Sequence, residues 1–233
     1  MDSENETGLK YEDYLDGTRK ILEESQKEKI PYKVKVCGNE FIVLPNVFSS
    51  KYFFDTELFA IHLPVNPGED ILEIGPGTGA ISIIAALKGA KRVVAIDINP
   101  DAVKNTNENI LLHKVNRTVE VRMGDVYNAL ESGEKFDTIF WNTPFGLLEE
   151  QTISDIEKSV YDPGYKSTKR FIMEAVEHLK EGGKVLIGFS TTLGQFDLLQ
   201  AFTKKAGMKL QLIYEEESTE VHSVKFEIFE AKF

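Results

Sequence analysis

Apolar and polar positions change period repeatedly along this chain, and the changes mark out its elements. The runs Asp70-Ile-Leu-Glu-Ile74, Arg92-Val-Val-Ala-Ile-Asp97, Lys135-Phe-Asp-Thr-Ile-Phe-Trp141 and Lys184-Val-Leu-Ile-Gly-Phe189 are apolar nearly throughout. Runs of this length predict strands buried on both faces, as in a parallel sheet. Val119–Met123 predicts one more. Between them the spacing turns helical: Ile81–Leu87, Pro100 to about His113, Phe171–Leu179 and Phe196–Lys205. Pro100 suits a first helical turn, Gly182-Gly183 should close the helix at Leu179, and Gly207 should stop the last one. Lys209–Tyr214 and Val224–Ala231 predict a terminal antiparallel hairpin. Strand and helix alternate, which places the chain in the α/β class.

The first 44 residues follow another rhythm. Residues 1–8 are acidic and aperiodic, the pattern of a disordered tail. Tyr11, Tyr14, Leu15, Thr18, Ile21 and Leu22 recur at helical spacing, predicting a helix from Tyr11 to about Lys29 that Pro31 ends. Tyr32–Val36 and Glu40–Leu44 alternate around Gly38-Asn39, which reads as a hairpin. We expect residues 1–44 to form an appendage too small for a core of its own, and 45–233 to form the main domain.

Composition narrows the function classes. The chain has 233 residues, 42% hydrophobic and 28% charged, with a net charge of −11. That balance argues against a general polyanion binder. The single cysteine, Cys37, excludes an internal disulfide and any cysteine-based zinc cluster, and no metal site is expected. The acidic start is unlike a signal peptide, and no apolar run reaches membrane-spanning length. These features predict a soluble cytoplasmic protein.

Candidate chemistry lies where the strands end. Gly75, Gly77 and Gly79 follow the first strand in a G-x-G-x-G turn that opens a helix, so N–H groups and the helix dipole can meet a polar ligand. Glu73 precedes that turn, and Ala80 stands where a dinucleotide fingerprint would have its third glycine. Asp97 closes the next strand about twenty residues past Gly77, placed to accept hydrogen bonds from ribose hydroxyls. Gly124-Asp125-Val126 and Asn142-Thr143-Pro144-Phe145 follow two further strands, so Gly75, Asp97, Asp125 and Asn142 should share one rim.

Glu73-x-Gly75-x-Gly77-x-Gly79 resembles the nucleoside-binding loop of class I S-adenosylmethionine-dependent methyltransferases. Leu44-Pro-Asn-Val-Phe-Ser-Ser50 with Asp55-Thr-Glu-Leu-Phe59 resembles the "methyltransferase small" group, which includes ribosomal-RNA guanine-N2 methyltransferases and is related to release-factor glutamine methyltransferases. Asn142-Thr143-Pro144-Phe145 is similar to the [N/D/S]-P-P-[Y/F] signature of enzymes that methylate planar nitrogens. The resemblance, over about residues 45–233, implies a Rossmann-like, seven-stranded, mostly parallel sheet in the order 3-2-1-4-5-7-6, with helices on both faces. It implies S-adenosyl-L-methionine as cofactor, held by Glu73, Gly75, Gly77, Gly79, Asp97, Ile98, Asp125, Val126 and Asn142. In that group Asp125 contacts the adenine amino group, Val126 packs on the ring, and the segment before the glycine loop covers the cofactor. Phe59 should be core; Phe48 suits either core or substrate entrance.

Asn142, Thr143, Pro144 and Phe145 are the candidate catalytic residues. An amide or aryl-amine nitrogen is a poor nucleophile because its lone pair is delocalised. Hydrogen bonds from its N–H groups to Asn142 Oδ1 and a backbone carbonyl can draw it toward tetrahedral character. Pro144 biases Thr143 toward an extended backbone, and Phe145 would stack on the planar group. The departure is Thr143 where the signature has proline, which leaves that backbone less rigid. The reading is N-methylation of a planar nitrogen in a protein or small molecule; the alternatives are an RNA or DNA base, or a catalytically silent scaffold that keeps the cofactor. A nicotinamide oxidoreductase is disfavoured by Ala80 and by the lack of a Tyr-x-x-x-Lys relay. The connection 146–168, with acidic Glu149-Glu150 and Tyr161-Asp-Pro-Gly-Tyr165, should lie over the site. Its carboxylates favour a protein or small-molecule partner, with nucleic acid open, no membrane, and oligomeric state undetermined.

Overall fold

The computed structural model describes residues 11–149, 151–218 and 223–233; the acidic start at 1–8 and Glu150 lie outside it. The chain runs α1 (Tyr11–Ser25), β1 (Tyr32–Val36), β2 (Asn39–Val43), α2 (Asp55–His62), β3 (Asp70–Ile74), α3 (Ala80–Leu87), β4 (Arg92–Asp97), α4 (Pro100–Leu112) and β5 (Val119–Met123). It continues with β6 (Phe136–Asn142), β7 (Gly146–Leu148), β8 (Tyr161–Pro163), α5 (Lys166–His178), β9 (Leu179–Phe189), α6 (Phe196–Lys205), β10 (Lys209–Ser218) and β11 (Val224–Lys232).

Seven strands form one sheet in the order β5-β4-β3-β6-β9-β11-β10. Counted along this sheet alone, that is 3-2-1-4-5-7-6, the expected order. The strands from β5 to β9 are parallel, and β11 and β10 pair antiparallel at one edge. Successive residues feed opposite faces. Leu72, Val94, Ile139 and Val185 pack with Phe171, Ile172 and Leu199 of α5 and α6. Ile71, Val93, Phe140 and Leu186 pack with Phe59, Ile81 and Ile83 of α2 and α3. Both faces are covered, which is why the strands read as continuous apolar runs.

Four boundaries differ from expectation. Helix α1 stops at Ser25, where Ser25 Oγ donates to Leu22 O at 2.7 Å, well before Pro31. In the β1–β2 turn Val36 pairs with Asn39, so Cys37 and Gly38 are its centre, at φ 50° and 74°. A tight hairpin turn of this kind needs positive φ at both positions, which moves it one residue earlier than Gly38-Asn39. Helix α5 begins at Lys166, because the Asp162 carboxylate accepts the Ser167 and Thr168 N–H groups at 3.2 and 2.7 Å. Gly182-Gly183 lie within β9 rather than closing α5: pairing jumps from Phe136–Leu179 to Thr138–Lys184, and the glycines occupy the bulge between.

The hairpin is tied to the glycine loop through α4. Asn105 Oδ1 accepts Leu44 N–H at 2.8 Å, and Asn109 Oδ1 accepts Ile42 N–H at 2.8 Å. Asn109 Nδ2 donates to Ile42 O and Thr78 O, each at 2.8 Å, and Thr106 Oγ1 donates to Gly77 O at 3.0 Å. All three side chains are fully buried. Asn109→Ala leaves buried backbone groups without partners, and urea unfolding should show a loss of about 3 kcal/mol. A loss under about 1 kcal/mol would mean that these backbone groups find other partners.

Candidate functional site

The carboxyl ends of β3, β4, β5 and β6 open onto a cavity of about 410 Å³, a size suited to a cofactor. Its wall includes Glu73, Gly75, Gly77, Asp97, Ile98, Asp125, Val126, Asn142 and Pro144. Trp141, Phe48 and Thr56 add to it, and Ile153, Ile156, Lys158 and Asp162 of the β7–β8 connection form a roof.

Gly75, Gly77 and Gly79 have φ of 62°, 58° and 79°, a conformation that penalises a Cβ. A Cβ on Gly75 would lie 2.9 Å from Trp141 Nε1, and one on Gly79 would lie 2.7 Å from Thr106 Cγ2. Gly79 therefore packs against α4 and does not line the cavity, contrary to its expected cofactor contact. Asp97 links two turns: its Oδ2 accepts Gly77 N–H at 3.1 Å and its Oδ1 accepts Asn99 N–H at 2.9 Å. Burial pushes its carboxyl up to about 6, against the pull of those two hydrogen bonds. Burial likewise lifts Glu73 to about 7, although Ser82 Oγ donates to it. Asp125 pairs with Arg170 Nη1 at 2.6 Å. Val126 lines the wall with φ 54°, a strained conformation for a β-branched residue.

The Asn142-Thr143-Pro144-Phe145 turn divides. Asn142 Nδ2 donates to Asp55 Oδ2 at 2.8 Å, while its Oδ1 is buried and accepts no hydrogen bond. Thr143 turns away from the cavity: its N–H and Oγ1 both donate to Gly188 O, at 3.1 and 2.8 Å. Two hydrogen bonds to β9 thus restrain the backbone where proline would in the signature, so this turn is not loose. Phe145 packs against Phe189 and Phe226, with ring centroids at 6.0 and 6.1 Å, and does not line the cavity. Its expected stacking on an acceptor is not the geometry found, because the space around it is filled by β9 and β11.

Phe59 is fully buried core; Phe48 stacks on Phe53 at 4.4 Å and joins the cavity wall. Asp55 opens α2, and its partner Asn142 lies 87 positions away, which no local sequence pattern signals. Burial lifts its carboxyl to about 6.

The family model described as methyltransferase small domain matches residues 38–211. The chain belongs to this family. A Methanocaldococcus jannaschii protein provisionally named a protein N5-glutamine methyltransferase is 37% identical over 183 residues, 77% of this chain and 89% of that protein. A ribosomal protein L11 methyltransferase from Streptococcus equi subsp. zooepidemicus is 32% identical over 124 residues, 53% of this chain but only 38% of its own length. In fold, the chain resembles a T. thermophilus 16S rRNA N2 G1207 methyltransferase, solved with AdoMet and guanosine. The TM-score is 0.60 at 22% identity, covering 87% of this chain and 50% of that one.

As a member of the methyltransferase small domain family, the protein is an S-adenosylmethionine-dependent methyltransferase. The residues present fit that cofactor: a glycine cradle without Cβ atoms, a buried carboxylate on each side of it, and an unpartnered acceptor at the wall. Among the described residues no helix is long and apolar enough to cross a membrane, and no acidic, histidine and cysteine cluster could hold a metal.

Two expectations follow. Glu73 and Asp97 have folded-state pKa values of about 7 and 6, above their ordinary carboxylate values. A raised carboxyl pKa favours the fold below the unfolded value, and this contribution is lost as pH rises through the folded one. The cofactor-free enzyme should therefore lose Tm between about pH 5 and 7.5, and Glu73→Gln should flatten the slope in a thermal scan. Thr143→Pro removes both donors to Gly188 O and should lower stability by about 1–3 kcal/mol by chemical unfolding.

Proposed function

We propose that the enzyme methylates a side-chain amide nitrogen of a protein, glutamine being the residue that fits best, in the cytoplasm. Residues 1–44 serve in this reading as an appendage to the catalytic domain 45–233. The observation that carries the proposal is Asn142 Oδ1, a buried acceptor with no donor on a residue of the cavity wall. A buried acceptor left unmade costs about 1–3 kcal/mol, so a donor that arrives with the substrate recovers that cost.

The chemistry follows from the acceptor. S-adenosylmethionine supplies an electrophilic methyl group on a sulfonium sulfur. Asn142 Oδ1 takes one N–H of the incoming amide and turns its nitrogen toward that methyl. Pro144 walls the site beside it and keeps water out. When bound, the cofactor would give up its methyl group and leave as S-adenosylhomocysteine, and Asn142 Oδ1 would hold the N–H whose proton the methylated nitrogen sheds. The M. jannaschii relative, matched over 89% of its length and provisionally named a protein N5-glutamine methyltransferase, supports a glutamine amide. The net charge of −11 disfavours a phosphate track.

Tritiated S-adenosylmethionine incubated with cell extract and this enzyme should label material that protease removes and nuclease spares; the opposite result would falsify the amide reading in favour of a nucleic-acid base. Asn142→Ala should retain cofactor binding by calorimetry, yet lose about a hundredfold in rate. A wild-type rate in that variant would remove Asn142 from the mechanism.

A further inference from the structure

Asp55 is deeply buried at the start of α2, and it faces no cation: its partners are Asn142 Nδ2 and the Thr56 N–H, at 2.8 and 3.0 Å. A carboxylate in such a place is costly, and an apolar residue of similar volume would satisfy packing alone. An ionised carboxylate also has a property that no amide or hydroxyl shares. It only accepts hydrogen bonds. The Asn142 amide has two faces of nearly equal shape, one a donor and one an acceptor. Opposite an acceptor-only group it can present its NH2 in one way, and Oδ1 is then committed to the other side. That is the arrangement observed: Nδ2 rests on Asp55, and Oδ1 is buried and unpartnered on a residue that lines the cavity.

From this juxtaposition we infer that Asp55 is a positioning residue, which sets the orientation of the Asn142 amide so that its oxygen meets the methyl acceptor. The inference rests on the proposed role of Asn142 and adds the group that enforces it. Helix α2 holds Asp55 firmly for this purpose. Phe59 anchors the helix in the core, and Lys88 Nζ, at the C-cap of α3, donates to Ala60 O, Ile61 O and Leu63 O at 2.8, 2.8 and 3.2 Å. The neighbouring Thr56 also lines the cavity, so the start of α2 is part of the site wall. Burial lifts the Asp55 carboxyl to about 6, the expected mark of a charge kept where solvent cannot support it.

Asp55→Asn is nearly isosteric but presents either an oxygen or an NH2 to Asn142, so the neighbouring amide loses its single orientation. At saturating tritiated S-adenosylmethionine, the initial rate of labelling of extract macromolecules should fall at least tenfold. S-adenosylhomocysteine affinity should stay within about threefold, and Tm within a few degrees of wild type. Asp55→Asn combined with Asn142→Asp exchanges the two groups and again offers an acceptor to the cavity; it should regain much of the lost rate. A wild-type rate in Asp55→Asn, or a rate loss matched by an equal loss of S-adenosylhomocysteine affinity, overturns the inference. A second readout needs no acceptor. In 15N-labelled protein the Asn142 side-chain amide protons should sit downfield in wild type, because one rests on a carboxylate, and should move upfield in Asp55→Asn. If wild type labels nothing that protease removes, the glutamine reading fails while this resonance still decides the role of Asp55. An unmoved resonance overturns that role whatever the acceptor is.

Discussion

The backbone between Ile74 and Ala80 passes three times through the left-handed region, and the rest of the site is arranged to hold that turn. Gly75 lies under the Trp141 indole, Gly79 under Thr106, and Gly77 is held at its N–H by Asp97 and at its carbonyl by Thr106. Such a turn is entropically expensive in isolation. Here its restraints come from β4, β6 and α4, so the loop cannot form unless the neighbouring strands have already paired. Once held, it leaves backbone facing the cavity where side chains would otherwise fill it.

A second consequence concerns charge. Glu73 and Asp97 are buried carboxylates on the cavity wall and Asp55 is buried beside Asn142; among the described residues none has a cationic partner in its hydrogen bonds. A ligand that brings positive charge and hydroxyl donors therefore meets a site already short of both. The opposite design appears on the far side of the sheet. There Glu134 is clamped by Arg92 and Arg122, which together with the Glu131 N–H hold it down at about 2 despite partial burial. Glu73 and Asp97, by contrast, are met by hydroxyl and backbone donors alone.

Much of this was legible in the residues, for reasons that differ by element. Buried parallel strands announce themselves because both faces are apolar, and the loops at their carboxyl ends inherit a location from the topology. Glu73, Gly75, Gly77, Asp97, Ile98, Asp125, Val126, Asn142 and Pro144 accordingly meet at one cavity. Gly79, Thr143 and Phe145 do not line it, because adjacency in sequence does not say which way a side chain turns. Thr143 turns to Gly188 O, a partner 45 positions on that no local pattern reveals. The start of α5 was hidden for a similar reason: Asp162 supplies its first hydrogen bonds from outside the helix. Asp55 was passed over because its meaning lies wholly in its distant partner.

Helix α1 is anchored far from its own place in the sequence. Leu22 packs with Ile156, Val160 and Tyr161 of the roof. Tyr11 Oη accepts the Leu147 N–H, and Tyr161 Oη donates to Leu15 O, across 136 and 146 positions of chain. On a ribosome, α1 emerges well before its docking surface, whose contacts lie 136 and 146 positions further along the chain. It must wait as a solvent-exposed amphipathic segment, and its abundant charge is what keeps that wait harmless. The roof of the cavity is consequently translated after the cofactor floor it covers, whose glycine loop and first strands precede it in the chain.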